Sequence, residues 1–491
     1  MSSASSITSL YGSNLTISEE SINDDIKTVS MDCSREERSF YHLSIDEVVR
    51  RVKLWHHTMP RVLPHYAVKC NNDLAVLKTL ALLGTGFDCA SRAEMSKVLS
   101  LGVPASRIIF AHPCKIASHI KYARSQGVSL MTFDSHEELK KLSKLYPEGD
   151  LVLRIRCDAE SAQCQLGMKF GVQPYEARSL LQFAAQLNLR VVGVAFHVGS
   201  GCAEPQVFLR AIAAAKQVFL EAVEEGHSPS LLDIGGGFMG GMQDSLAEAA
   251  GYINTALEEH FPQSMGVTVI AEPGRYMVAS AFTLVTPIIN KRVTRIPVKE
   301  VISSNVALEM EVGKRSDDDG MVDTVMHFID DGVYGSFNCV LYDHQVVKPT
   351  TLQSFAGSES ITSVWGPTCD GLDQIIAAMM LPSSLSVGDW LVWEEMGAYT
   401  LAAAGNFNGF SLPGVKVFMH QHTRMYLEEL LEQQSLSESG TEGSSGICSE
   451  DECCSSASSG TRPASPCNGE SYDQQLLNAL TTQCTVSKAQ C

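Results

Sequence analysis

The chain has 491 residues, with 37 Lys and Arg against 56 Asp and Glu, for a formal net charge of −19. That length allows two domains and a large core. An acidic chain with no basic stripe excludes nucleic acid as a partner, and no apolar run is long enough to span a bilayer, nor is there a signal-peptide pattern. Fifteen cysteines would suggest a disulfide framework in a secreted chain. Here the nine before residue 432 are scattered singly, many in apolar runs, and the total is odd. That pattern predicts reduced thiols and a cytoplasmic location. In such a compartment the acceptor pattern Asn14-Leu-Thr16 is not used. The tail cysteines Cys448, Cys453 and Cys454 lack a second spaced pair or histidines, so no metal is assigned to them.

Residues 1–38 are rich in Ser, Thr and acids and are expected to be flexible. Eight short apolar runs follow, nearly all ending in a polar group. They are His65-Tyr-Ala-Val-Lys-Cys70 with Lys69, Gly86-Phe-Asp-Cys-Ala90 with Asp88, Arg107 to His112, and Ser129 to Asp134. Then come Leu151 to Ile155 with Arg154, Val191 to Ser200 with His197, Leu231 to Gly237 ending in three glycines, and Thr268 to Glu272 running into Arg275. The intervals carry helical periodicity. Asp73 to Leu83 stops at Gly84, a capping-box pattern Ser91-Arg-Ala-Glu94 opens the next, and further helices are expected over 115–126, 135–146, 174–188, 205–226 and 244–261. Strand and helix in alternation imply a parallel sheet. Eight units over residues 39–277 match a closed α/β barrel of the (β/α)8, TIM-like kind. An open doubly wound sheet fits less well, because the run at Gly235 lacks the acidic partner of a dinucleotide fingerprint.

After Arg275 the pattern changes to alternation over Val278 to Val293, Val322 to Tyr334, Val340 to Val347, Ile361 to Val364 and Trp390 to Glu394. This predicts an antiparallel β domain over 278–431, with Lys299 to Gly320 as an exposed loop. From about residue 432 to 491 the chain turns to Ser, Glu, Gly and Cys and is expected to be a disordered tail, with at most a short helix near its end.

The C-terminal ends of barrel strands form one rim, where active sites sit. A buried lysine there has its pKa lowered and becomes a nucleophilic amine. Alone, Lys69 reads as a solvent-facing residue and Gly235-Gly-Gly237 as a tight turn. Together with Ser200 and Arg275 they read as an imine-forming amine beside a phosphate anchor, which is what pyridoxal phosphate requires. Glu272 is the companion that sets the chemistry. A carboxylate at the pyridine nitrogen keeps it protonated and favours decarboxylation, although alone it would read as a surface ion pair with Arg275. His197 can stack on the ring, or be a core histidine.

In this setting the chain resembles the eukaryotic ornithine decarboxylase family, within fold-type III pyridoxal-phosphate-dependent decarboxylases. The resemblance rests on Tyr66-Ala-Val-Lys-Cys-Asn71, Gly86-Phe-Asp-Cys-Ala-Ser91, Phe196-His-Val-Gly-Ser-Gly-Cys202, Asp233-Ile-Gly-Gly-Gly-Phe238, Glu272-Pro-Gly-Arg-Tyr276, Asp331-Gly-Val-Tyr-Gly-Ser-Phe-Asn338 and Trp365-Gly-Pro-Thr-Cys-Asp-Gly-Leu-Asp373, over about residues 40–412. It implies a homodimer with active sites shared between subunits. Lys69 would carry pyridoxal 5'-phosphate as an imine, with Glu272 at the ring nitrogen and His197 against the ring. Gly235, Gly236, Gly237, Ser200, Arg275 and Tyr399 would hold the phosphate, and Asp88, Glu94 and Arg154 would orient the ring. From the other subunit, Cys369 would protonate Cα, and Asp370 with Asp331 would grip the distal ammonium of ornithine. Asp373 opposite Lys169, and Asp134 opposite Lys291 and Arg292, would pair across the dimer. On residue type alone, Cys369 reads as a buried thiol and Asp370 as a turn residue. The resemblance also implies antizyme as a partner through 115–141, where Lys115, Lys121, Lys140 and Lys141 lie; the plain reading of that stretch is a solvated helix face.

The resemblance implies conversion of ornithine to putrescine and carbon dioxide, the first step of polyamine synthesis. A non-catalytic antizyme inhibitor is the competing reading from another class, and a lysine decarboxylase is a third. Such inhibitors lose site residues, whereas Lys69, Asp88, Arg154, Glu272, Arg275, Cys369 and Asp370 are all intact. Residues 293–325, the segment after Phe410 and the tail depart from the vertebrate pattern.

Overall fold

A computed structural model describes residues 7–33, 38–159, 162–164, 166–241, 246–301, 308, 312 and 314–439. The strands in chain order are β1 (Leu15–Ser18), β2 (Phe40–Ser44), β3 (Val62–Ala67), β4 (Gly86–Cys89), β5 (Ile108–Phe110), β6 (Leu130–Phe133), β7 (Asp150–Arg156), β8 (Ala162–Cys164), β9 (Arg190–His197), β10 (Ser200–Cys202), β11 (Leu231–Asp233) and β12 (Thr268–Ala271). Then follow β13 (Phe282–Pro297), β14 (Met321–Ile329), β15 (Pro349–Thr351), β16 (Glu359–Trp365), β17 (Gln374–Pro382), β18 (Trp390–Trp393) and β19 (Gly414–His420). Strands β3, β4, β5, β6, β7, β9, β11 and β12 close into a parallel barrel. The eight predicted runs each overlap one of these strands.

The barrel's side-chain alternation positions the site. Successive strand residues face opposite sides. Ile109, Val152, Ala195, Leu231 and Ile270 pack together from five barrel strands, while their neighbours Leu151, Leu153, Val194, Phe196, Leu232 and Val269 pack into the larger core with the surrounding helices. Two residues beyond Val152, Ala195, Leu231 and Ile270 stand Arg154, His197, Asp233 and Glu272. The period of two therefore turns these four polar groups inward at the C-terminal rim. Helix starts follow the expected chemistry. Ser91 Oγ accepts from the Glu94 N–H at 3.3 Å, and Glu94 reaches back to the Ala90 N–H at 2.6 Å, one residue earlier than a standard capping box.

The rest of the chain differs from expectation in several ways. The second domain is a mixed sheet in the order β1-β19-β2-β13-β14-β16-β17. Neighbours β1 and β19, β19 and β2, and β14 and β16 run parallel, and the β13 pairings are antiparallel. Its first two strands come from before the barrel, so Phe40–Ser44 belongs to this sheet and the boundary at residue 39 does not separate the domains. The N-terminal segment is not simply flexible. Ile7–Tyr11 and Ile22–Cys33 are helical, and Ile7 and Ile26 are buried at 0% and 1% exposure, because their apolar side chains dock on the barrel helices and sheet. Val340–Val347 is not a strand. Asn338–Tyr342 is a short helix, with Val340 packed against the main core. Strands β15, β17 and β19 were not anticipated.

In the expected loop Lys299 to Gly320, Leu308 and Val312 are buried against Val322 and Ile361; most of 302–313 lies outside the described residues. The last helix, Gln421–Ser439, runs past residue 431, and the rest of the expected tail, 440–491, lies outside them.

Candidate active site

Lys69 sits in the 3-10 turn Val68–Cys70 that closes β3. Its Nζ is paired with Asp88 Oδ2, and its side chain is 40% exposed, so a ligand can reach it. Asp88, on β4, is completely buried. Sequence reasoning expected burial to lower the lysine pKa. Burial does act in that direction, but the carboxylates of Asp88 and Glu272 outweigh it and hold the ammonium above its ordinary value. In this arrangement Lys69 is a charged group clamped by an acid, and it becomes a free amine only when that proton is passed on.

Glu272 follows β12 and Asp233 ends β11, both buried. Asp233 Oδ1 accepts the Gly235 N–H at 2.8 Å. Burial first, then the Asp233 and Asp88 charges, push Glu272 well above the carboxylate range. Burial also raises Asp233. Two carboxyls this close in a low dielectric hold one proton between them. Sequence reasoning missed Asp233 as a site residue, although its place directly before the glycines was a readable signal. His197, at the end of β9, accepts the Gly199 N–H on Nδ1 at 3.0 Å. Burial, with the Arg154 and Lys69 charges, keeps its imidazole neutral. The Arg154 guanidinium lies 5.4 Å from the Phe170 ring centroid. Burial raises the Glu94 carboxyl, which accepts the Ala90 N–H.

The three glycines form a cradle. Gly235 and Gly237 have φ of +63° and +113°, and a Cβ on Gly236 would sit 2.7 Å from His197 Nε2 and 3.0 Å from the Glu272 carbonyl. The N–H groups of Gly236 and Gly237 make no hydrogen bond to the described residues. Beside them Arg275 Nη2 donates to Ser200 Oγ at 3.0 Å and to Asp343 Oδ1 at 2.8 Å, and its guanidinium stands 5.1 Å from the Tyr399 ring centroid. Tyr399 is tied to the lysine turn by its N–H to the Cys70 carbonyl at 3.0 Å, with φ of +55°, a strained conformation for a bulky residue.

These residues fit pyridoxal phosphate. Buried atoms without a hydrogen-bond partner include Asp88 Oδ1, Asp233 Oδ2, Glu272 Oε1 and Arg275 Nε. Orphaned groups of this kind are costly unless a ligand satisfies them. The glycine N–H groups, Ser200 and Arg275 form an anion site, Lys69 offers the amine, and the Glu272–Asp233 pair suits a ring nitrogen that must hold a proton.

The loop carrying Cys369 and Asp370 lies elsewhere in the same chain. Cys369 is exposed, its N–H donating to Asn408 Oδ1 at 3.0 Å. Asp370 accepts from the Tyr334 hydroxyl, which holds its carboxyl below the usual range. Neither has a hydrogen bond to the rim residues above.

Asp331, expected at the distal ammonium, follows β14. It is 4% exposed, its Oδ1 accepts the N–H groups of Gly332 and Ser336 at 2.8 and 2.9 Å, and burial pushes it up to about 6. It shapes the turn that runs to Ser336, and its Oδ2 is buried with no hydrogen-bond partner among the described residues, which leaves that oxygen for a ligand. Asp343, bonded to Arg275, is a further acid that lay hidden in the run misread as a strand. His344, next to it, has φ of +52°.

Asp373, Lys291 and Asp134, expected to pair across a dimer, also have partners within the chain. Asp373 is 1% exposed and accepts the Val333 N–H on Oδ1 and the Thr368 N–H and hydroxyl on Oδ2. Lys291 donates to the carbonyls of Ser383 and Leu385, and Asp134 accepts the Gly171 N–H. In the stretch 115–141, Lys115 is not a surface residue. Its side chain is buried, bonded to Glu138 at 3.0 Å and to the Thr132 carbonyl at 2.5 Å, and burial lowers it to about 8. Glu138 also takes Lys141, and Glu137 takes Lys140, so most of this basic charge is compensated locally.

A family model described as the pyridoxal binding domain of pyridoxal-dependent decarboxylases matches residues 45–279. Ornithine decarboxylase of Mus musculus is 46% identical over 399 residues, 80% of this chain and 84% of that protein. Antizyme inhibitor 2 of Xenopus laevis is 46% identical over 397 residues, 80% and 82% of the two chains. Among solved structures, the arginine decarboxylase of the Paramecium bursaria Chlorella virus has a TM-score of 0.73 at 37% identity, covering 81% of this chain and 100% of that one. With the barrel, the lysine turn and the glycine cradle in place, the chain belongs to the pyridoxal-dependent decarboxylases.

Proposed function

We propose that this chain decarboxylates L-ornithine to putrescine and carbon dioxide, with pyridoxal 5'-phosphate as its cofactor. The observation that carries the reading is the complete rim. Lys69 is clamped by Asp88 and held charged by Glu272, and the same rim carries the glycine cradle and Arg275. When bound, the cofactor supplies an electron sink for the pair left on Cα as carbon dioxide departs. Gly236, Gly237, Ser200 and Arg275 hold its phosphate. Asp233 and Glu272 keep a proton at the ring nitrogen. The neutral His197 packs on the ring without adding charge, and Asp88 takes up the Lys69 proton so that Nζ can attack.

Cys369 of the partner subunit delivers a proton to Cα. Asp331, whose buried Oδ2 has no hydrogen-bond partner among the described residues, and Asp370 of the partner subunit hold the distal ammonium, because two carboxylates select a basic end group. This makes the working form a homodimer. It acts in the cytosol, a location supported by the eight cysteines from Cys70 to Cys369 being free thiols. Among the described residues no helix is long and apolar enough to cross a membrane. Antizyme binding through 115–141 has little support once Lys115 is removed from its surface; Lys121 remains exposed there.

The competing inhibitor reading predicts no turnover and no covalent cofactor. The test is carbon dioxide release from ornithine, lysine and arginine by the purified chain, with its visible absorbance recorded. Ornithine should be the preferred substrate, and Lys69→Ala should abolish both turnover and covalent capture. A colourless, inactive wild-type chain would support the inhibitor, and a preference for lysine or arginine would move the substrate assignment.

A further inference from the structure

Far from the rim, three potential ligands converge where the second sheet meets the barrel. Asp46 lies in the first turn of the helix Ile45–Thr58, His420 ends β19, and His422 opens the last helix. One ligand atom from each lies within 4.8 Å of the others. His420 Nδ1 is 3.2 Å from Asp46 Oδ2, and His422 Nε2 is 3.6 Å from Asp46 Oδ1. The two rings are stacked, 5.4 Å between centroids.

The tautomer of His420 is fixed by its other nitrogen. Nε2 faces the Glu20 carbonyl oxygen at 3.2 Å. A carbonyl only accepts, so Nε2 carries the hydrogen. In the neutral ring Nδ1 is then a lone pair aimed at a carboxylate oxygen, and that contact needs a cation. A proton satisfies His420 alone. It leaves His422 Nε2, which is buried and has no hydrogen-bond partner. A metal ion satisfies all three groups. The carbonyl behind His420 is also the usual outer support of a metal-bound imidazole. Zn–N bonds of about 2.0–2.1 Å place tetrahedral ligands about 3.3 Å apart, close to the two distances found here.

We propose that Asp46, His420 and His422 form a binding site for one divalent transition-metal ion, Zn2+ being the best match, which fastens the C-terminal strand and helix to the barrel. Two imidazoles and one carboxylate suit a borderline metal rather than Mg2+ or Ca2+, which prefer all-oxygen shells. Water supplies the fourth ligand, since His422 is one-third exposed at 32%. The Asp46 carboxylate is held for this role by the His420 N–H and the Thr423 hydroxyl.

The test uses the full chain with its cofactor bound, stripped of metal by a chelator. Titration with Co2+ should give one equivalent per chain, with weak visible bands and no near-ultraviolet thiolate charge-transfer band. Zn2+ should displace it, and saturating Zn2+ should raise the thermal midpoint. His422→Gln should weaken Co2+ binding at least tenfold, and His420→Asn with His422→Gln should remove that equivalent. Unchanged circular dichroism and metal-free turnover would show that the variants are folded. If the double variant does not fold, His422→Gln alone decides, since its ring is the most exposed of the three. The proposal is overturned if wild type takes up no Co2+, if the bound ion shows thiolate bands from the many cysteines, or if His422→Gln binds as wild type does.

Discussion

Gly235→Ala should separate the glycine cradle from the barrel. Gly235 has φ of +63°, a region that costs a residue with a Cβ about 1–2 kcal/mol. The new Cβ would run into the Phe196 carbonyl oxygen and lie 2.9 Å from His197 Cα. Both are backbone atoms and cannot rotate aside. Overpacking of this kind costs about 1–3 kcal/mol, so the unliganded chain should lose about 2–5 kcal/mol in all. The strain falls between β9 and β11, and the Glu272 N–H bond to the Gly235 carbonyl at 2.7 Å moves with it. Losing the aim of one N–H at the phosphate removes about 1.5–3 kcal/mol, roughly a ten- to hundredfold rise in the cofactor's Kd. The assay is absorbance titration with pyridoxal phosphate, together with the thermal midpoint. Gly251→Ala is the control. It lies in the helix Leu246–His260 with open space around its Cβ, and it should stabilise by about 0.5–1 kcal/mol. A Gly235→Ala chain with wild-type Kd and midpoint would refute the cradle.

Three further outcomes are expected. Mixing Lys69→Ala with Cys369→Ala chains should restore about a quarter of wild-type activity, since half of the dimers carry one intact site; no recovery after demonstrated exchange would place Cys369 in its own chain's site. Asp331→Asn should cut kcat/KM for ornithine by more than tenfold, as loss of one partner of a buried charged contact costs about 2–5 kcal/mol. Asp343→Asn should instead weaken cofactor binding through Arg275, and the reverse pattern would make Asp343 the substrate acid. His65 is buried, and burial lowers its pKa to about 4 from the ordinary 6.5. The unfolded chain therefore binds a proton that the native chain refuses, so its contribution is present above pH 6.5 and is lost as pH falls towards 4. The loss is about 3 kcal/mol over that window. His65→Leu should flatten this part of the stability profile, and an unchanged slope would show that the native chain takes up the proton at its ordinary pKa.

The sequence by itself determined the barrel and most of its rim. Eight apolar runs separated by capped helices leave few alternatives, and a period of two carries Arg154, His197 and Glu272 inward from barrel-filling neighbours. The glycine run was equally legible, because only glycine adopts the positive φ found at Gly235 and Gly237 without strain. Tertiary structure alone decided which acids meet those residues. Asp331 and Asp343 are both acids near apolar residues, and no local pattern tells that one caps a buried turn while the other meets Arg275 across 68 positions. Lys115 looks like any surface lysine on a helix edge until Glu138 and the Thr132 carbonyl enclose it. The convergence of Asp46 with His420 joins residues 374 positions apart. Strand pairing between the chain's beginning and its end makes that contact, and backbone ladders of this kind depend on long-range register rather than on the residues at either end.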